Sequence, residues 1–245
     1  MGLRIEHKQC DINKSQYGAH YDKLPAADYK LSAKLSNNRY AYTFCMCPGG
    51  EVVQATPESG CCVTNGMSYF ARDLKNSNSA ILVNVNPEDF GSSDPLAGLE
   101  FQRKYERIAF DFSRDYRLPT SRLHDFLINK TPLNLGSIRP SCKRGAVLAN
   151  LNECLPTYIS DGIKEGIKIF NNKVKGFENP DAILSGIESR SSTPVRILRD
   201  DKAQSISCDG LYPVGEGSGY SGGIMSSAVD GIKTAINIIN GINSK

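Results

Sequence analysis

The stretch that most constrains this chain is Gly210-Leu-Tyr-Pro-Val-Gly-Glu-Gly-Ser-Gly-Tyr-Ser-Gly-Gly-Ile, close to the end of its 245 residues. A short apolar run, Leu211 to Val214, gives way to Gly215, Gly217, Gly219, Gly222 and Gly223. Behind them Ile224, Met225, Ala228, Val229, Ile232, Ala235, Ile236 and Ile239 recur at three- and four-residue steps, the period of one helix face. Strand, glycine-rich turn and helix form a geometry that aims free backbone N–H groups and the positive end of a helix at an electron-rich group. Close helix–sheet packing needs one or two glycines, fewer than stand here. A ligand reading therefore outweighs a packing reading.

Gly217-Ser-Gly-Tyr-Ser-Gly222 fits the dinucleotide fingerprint G-x-G-x-x-G letter by letter. That fingerprint opens a sheet, with a second strand and an acidic residue about 20 positions on. Only 23 residues follow Gly222, and the helix takes most of them. A first-unit reading fails. A terminal-unit reading stands: Glu216 would lie near ribityl or ribose hydroxyls, and the helix start near Gly222 would face a ring carbonyl or a phosphate.

A hydrophobic content of 40% with 22% charged residues is ordinary for a globular core. A net charge of +3, with no Lys/Arg cluster interleaved with aromatics, argues against nucleic acid. No apolar run approaches the roughly 20 residues that span a bilayer, and Met-Gly-Leu-Arg-Ile-Glu has no apolar signal core. A soluble cytoplasmic protein without membrane partners is expected. Eight cysteines in a chain this long read as reduced thiols, mostly buried as small hydrophobes.

Alternation makes Leu3–His7 a strand, and its position almost at the first residue suggests that the chain opens within a larger fold. Gln16 to Lys34 is polar and Tyr-rich, with an extended loop at Leu24–Lys30. Tyr40–Cys47 is a strand, Pro48-Gly-Gly a turn, and Glu51–Ala55 the returning partner of a hairpin. Cys61–Gly66 and Ser79–Val85 add two strands. Asp94-Pro95 starts a helix striped with Phe101, Tyr105, Ile108 and Phe112. Further helices are expected over Thr120–Leu127 and from Pro156 to Val174, the latter stopped by Gly176. Asp181–Gly186 reads as a helical turn and Thr193–Arg199 as a last strand. The fold class is α/β: an α+β centre with a mixed sheet, followed by the strand, glycine loop and helix.

Six stretches carry a resemblance. They are Gly2-Leu-Arg-Ile-Glu-His, Leu24-Pro-Ala-Ala-Asp-Tyr-Lys-Leu, Tyr42-Thr-Phe-Cys-Met-Cys-Pro-Gly-Gly, Val63-Thr-Asn-Gly-Met-Ser, Glu188-Ser-Arg-Ser-Ser-Thr-Pro-Val-Arg-Ile and the glycine-rich stretch at 210–224. In this order the chain resembles the C-terminal portion of a bacterial family of uncharacterised FAD-dependent, or NAD(FAD)-utilising, dehydrogenases. The resemblance implies a central substrate-facing α/β domain at 17–186, flanked by two segments that return to a Rossmann-like FAD-binding domain, 1–16 and 187–245. It implies FAD as cofactor, with Gly215, Glu216, Gly217, Gly222, Gly223 and Ile224 at the flavin. It also implies NAD(P)H or another electron donor as a partner. The fingerprint-bearing half of such a protein would be a separate N-terminal portion, acting in trans if at all. The competing hypothesis is a non-catalytic fragment serving only assembly or binding.

Cys45 and Cys47 belong to one quoted stretch and share a strand face, which makes them candidate catalytic thiols. On a flat strand that spacing is poor for a bridge. A four-thiolate site with Cys61 and Cys62 lacks the usual zinc spacing, so no metal is expected. Arg190 is a third catalytic candidate: it and Arg196 bracket Ser191-Ser-Thr-Pro, where an arginine could hold a carboxylate or an electron-rich ring edge. His7, His20 and His124 are scattered and receive no chemistry.

Overall fold

The computed structural model describes residues 1–243, which divide into two units. The first comprises residues 1–85 and 103–189, the second 86–102 and 190–243.

The first unit is built on a seven-stranded sheet. Its strands are β1 (Gly2–Lys8), β2 (Ser32–Lys34), β3 (Tyr40–Cys47), β6 (Asn76–Val83), β7 (Leu118–Arg122), β8 (Ala146–Leu148) and β9 (Ile183–Glu188), in the order β2-β3-β6-β1-β9-β7-β8. All neighbours are antiparallel except β7 and β8. Every residue of β6 and β9 is buried, as is all of β1 but Lys8. These central strands are covered on both faces, which is why they read as runs rather than as alternation.

Helix α4 (Thr157–Lys173) covers one face with Ile159, Ile163, Ile167 and Phe170. It comes close because Gly162 and Gly166 lie on that side: a Cβ on Gly166 would stand 2.6 Å from the Ala41 Cβ, and one on Gly162 would stand 2.9 Å from Val83. Side chains alternate across a strand, so Arg4 points away from the face that Leu3 and Ile5 give to the core. Over Arg4 lies a two-stranded ribbon of β4 (Gly50–Gln54) and β5 (Thr64–Ser68), with Gly66 against its guanidinium. Short helices α1 (Gln9–Tyr17) and α3 (Leu123–Leu127) complete the unit.

Helix α2 (Ala97–Asp111) starts in the second unit and finishes in the first. Asp94 Oδ1 accepts from the Leu96 N–H just ahead of it, in line with the expected entry signal. The rest of the second unit is irregular until α5 (Ile224–Asn243).

Several local expectations are corrected. The strand Glu51–Ala55 does not pair with Tyr40–Cys47, because β3 already has β2 on one edge and β6 on the other; β4 pairs with β5 instead. Asp181–Gly186 holds no helical turn but most of β9, a short buried run whose periodicity cannot separate strand from helix. Thr120–Arg122 belongs to β7, and only Leu123–Leu127 is helical. Thr193–Arg199 enters no sheet; Pro194 lacks a donor, and the Ile197 N–H donates to the Ser218 carbonyl in the glycine loop. Leu211–Val214 is likewise no strand: the Pro213 carbonyl accepts from Arg199 Nη1 at 2.7 Å, and nothing ladder-like runs beside it. Helix α1 and strand β2, neither of them expected from the sequence, flank the extended loop at Leu24–Lys30.

Candidate functional site

A charged residue in the middle of a central strand is unusual, and Arg4 is fully buried. Its guanidinium uses its fork in full. Nε and Nη2 donate to the two oxygens of Glu188 at 2.9 and 2.8 Å. Nη1 donates to Asn78 Oδ1 at 2.8 Å and to the Cys45 carbonyl at 3.1 Å, and Nη2 reaches Asn65 Oδ1 at 3.4 Å. Thr64 Oγ1 donates to Glu188 Oε2 at 3.2 Å. Burial opposes the charge, but the bidentate carboxylate outweighs it and holds the arginine above its ordinary pKa. Gly66 is required here, since a Cβ would fall 2.2 Å from Nη1 and 2.1 Å from Asn78 Oδ1. Four of the quoted stretches thus meet at one guanidinium, through Arg4 itself, Cys45, Asn65 with Gly66, and Glu188.

Cys45 and Cys47, both named from the sequence, are brought together at this cluster. The register of β3 against β6 shifts between Phe44 and Cys47, and Cys45 takes a positive φ of 47°, a conformation that side chains seldom adopt. The Cys45 side chain is exposed while Cys47 is buried. The Cys47 thiol donates to the Cys45 carbonyl at 3.2 Å. A hydrogen bond from Cys47 lowers the Cys45 thiol to about 6; burial opposes the shift, and the Arg4 charge assists it. Its Cys45 partner and burial push Cys47 far up in return. Sequence reasoning missed Arg4, Asn65, Asn78 and Glu188. The one available signal was a cation between Leu3 and Ile5 in a strand.

The glycine loop and Arg190 belong to the second unit, where Arg190 is half-buried. The loop is pinned at its base. Asp230 of α5 accepts from the Gly215 N–H at 2.9 Å and from both Nη atoms of Arg199 at 2.7 and 3.0 Å, which holds its carboxyl below the ordinary value. Arg199 also lies 3.8 Å over the Tyr220 ring. Gly219 has a positive φ of 86°, and a Cβ there would meet the Val195 carbonyl at 2.5 Å. Gly217 and Gly222 are different: among the described residues, a Cβ at either would meet nothing within 4 Å. Their smallness serves no packing among the described residues. Glu216 is exposed at the same crest, its carboxyl raised by partial desolvation, and Gly223 and Ile224 carry the loop into α5.

The first unit also contains a cavity of about 840 Å³ lined by Lys8, Gln9, Glu51, Asn76, Arg139 and Ser141, among others. Asn76 and Ser141 turn from its wall to hold the buried Glu6 carboxylate, at 2.9 Å from Asn76 Nδ2 and 3.1 Å from the Ser141 N–H. Burial lifts that carboxyl above its ordinary value. Among the described residues, no three His, Cys, Asp or Glu side chains converge as a metal site. Among the same residues no helix is long and apolar enough to cross a membrane.

A family model described as "FAD-dependent protein, C-terminal domain-like" matches residues 1–191. An uncharacterized protein of Clostridium beijerinckii (strain ATCC 51743 / NCIMB 8052) is 51% identical over 243 residues, covering 98% of this chain and 46% of that protein. The chain therefore spans about half the length of the curated relative it matches. With more than half of its residues matched, all of the Arg4 cluster among them, the chain belongs to the FAD-dependent protein C-terminal domain-like family.

Proposed function

We propose that this chain supplies the flavin-ring end of an FAD site, together with a substrate-facing domain, to an FAD-dependent oxidoreductase. The observation that carries the reading is the pair Gly217 and Gly222, glycines without a steric reason among the described residues, in the loop that carries exposed Glu216 and leads into a twenty-residue helix at Ile224. Such positions let a ligand approach the backbone closely. Gly215, Glu216, Gly217, Gly222, Gly223 and Ile224 would hold the group. When bound, FAD would supply hydride or electron transfer, with a reduced nicotinamide or another donor as reductant. The N-terminus of α5 favours negative charge placed before it. Cys45, Cys47 and Arg190 are the candidate catalytic groups, and the cavity beside Lys8 and Arg139 has a volume suited to a small substrate.

Titration of the chain with FAD, alone and with an N-terminal FAD-binding half supplied in trans, checks the reading by the visible flavin spectrum and equilibrium dialysis. Bound flavin that Gly222→Val displaces without loss of fold is the expected result. Absence of bound flavin even with the second half present would overturn it.

A second reading, a non-catalytic assembly module, is favoured by one observation: Ile224, Met225, Val229, Ile232, Ile236 and Ile239 of α5 are all exposed. It predicts association through that helix with no flavin in the complex.

A further inference from the structure

We propose that Cys45 and Cys47 form a redox-active dithiol that exchanges with low-molecular-weight disulfides, with Cys45 as nucleophile and Cys47 as the resolving thiol. This deepens the oxidoreductase reading by naming a substrate class, yet its geometry and its test need no flavin.

Two cysteines at i and i+2 on a flat strand share a face but stand too far apart to bridge easily. Here the strand is not flat. The register shift after Phe44 and the positive φ of Cys45 break the regular strand, and the Cys47 thiol turns back to donate to the Cys45 carbonyl at 3.2 Å, the same carbonyl that accepts from Arg4 Nη1 at 3.1 Å. The two thiols are also made unequal. Cys45 is open to solvent beside a buried guanidinium, and Arg4 cannot turn away because Glu188 and Asn78 fix its fork. Cys47 is buried and keeps its proton. An exposed, cation-stabilised thiolate with a protonated neighbour is the arrangement that thiol–disulfide exchange requires.

The steps balance. The Cys45 thiolate attacks one sulfur of a disulfide RS–SR; a Cys45–SR bond forms as the S–S bond breaks, and RS⁻ leaves and takes a proton from water. Cys47 then loses its proton to solvent and attacks the Cys45 sulfur. The Cys45–Cys47 bond forms, and the second RS⁻ leaves and is protonated. Two protein thiols are oxidised, and one disulfide is reduced to two thiols. Loss of the Cys45 charge in the first step is what releases the Cys47 proton for the second.

The chain contains its own controls, since Cys10 and Cys208 are exposed as well. Limiting iodoacetamide at pH 6.5, followed by peptide mass mapping, should label Cys45 about fivefold faster than either. That figure sets the larger thiolate fraction at a pKa of about 6 against the lower nucleophilicity of a weakly basic thiolate. The labelling rate of Cys45 should rise half-maximally near pH 6. With oxidised glutathione, the wild type should lose two hydrogens and yield a linked Cys45–Cys47 peptide. Cys47→Ser should instead trap one glutathione on Cys45, and Cys45→Ser should give neither product. Equal labelling of Cys10, Cys45 and Cys208 would overturn the proposal, as would absence of the Cys45 adduct in Cys47→Ser. Both serine variants are nearly isosteric, and their unfolding midpoints separate lost chemistry from lost fold.

Discussion

His7 sits in β1 with its Nε2 2.8 Å from the Phe177 carbonyl and its ring 4.9 Å from the Phe177 ring. Burial pushes its pKa down to about 4, so the folded state prefers the neutral ring. The unfolded chain binds the proton first as pH falls. Stability from this residue is therefore present above about pH 6.5 and drains away toward pH 4, by about 3 kcal/mol in all. Buried Glu6, whose carboxyl is raised, works in the opposite sense as pH rises through the acid range. Comparing wild type with His7→Gln in urea unfolding between pH 7 and pH 4.5 cancels the Glu6 contribution, and the variant should show the shallower fall. A matching slope in the two proteins would mean that His7 is not sealed. At this scale the sequence was only partly legible. Cys45 and Cys47 could be picked out as a pair, and Cys47 contributes most to the lowered Cys45 thiol, but the cation that assists it, Arg4, is distant in the chain. Arg4 looks like any strand-edge cation until β1 is seen to lie between β6 and β9, where no solvent reaches it.

Helices α4 and α5 put the same residue type to opposite uses. In α4, Gly166 lets the helix lie on Ala41, so Gly166→Ala should cost about 1–3 kcal/mol despite alanine's better helix propensity. In α5, a Cβ on Gly231 would meet nothing within 4 Å among the described residues, and Gly231→Ala should add up to about 1 kcal/mol. Thermal melts of the two variants should move in opposite directions; a shared direction would refute the packing of α4. Elements with a strong period were legible: the α4 face (Ile159, Ile163, Ile167, Phe170) and the α5 row are where the three- and four-residue steps put them. The failures share a cause. Asp181–Gly186, Thr193–Arg199 and Leu211–Val214 are short, and their state depends on a partner's edge rather than on their own pattern. Ile183 and Leu184 found such an edge in β1 and β7, whereas Leu211–Val214 did not.

For the whole molecule, the row along α5 stands out as a continuous line of uncovered apolar side chains: Ile224 is 84% and Met225 75% exposed. A run of uncovered apolar side chains is sticky in water. The isolated chain should brighten an apolar-surface dye such as ANS, and Ile232→Lys with Ile236→Lys should cut that signal by more than half without changing the far-UV spectrum. An unchanged signal would mean that α5 is covered in solution. The seven-stranded sheet has a consequence in time as well. Its middle strand, β1, is made first, yet its two neighbours are β6, about seventy residues later, and β9, which ends at Glu188. At roughly 5–20 residues per second a ribosome needs about ten to forty seconds to deliver β9 after β1. Throughout that interval Leu3 and Ile5 await their cover, and Arg4 its counter-ion. Assembly of this domain is thus paced by translation and by the closing of distant strands rather than by local structure, which makes the nascent chain a natural client for chaperones.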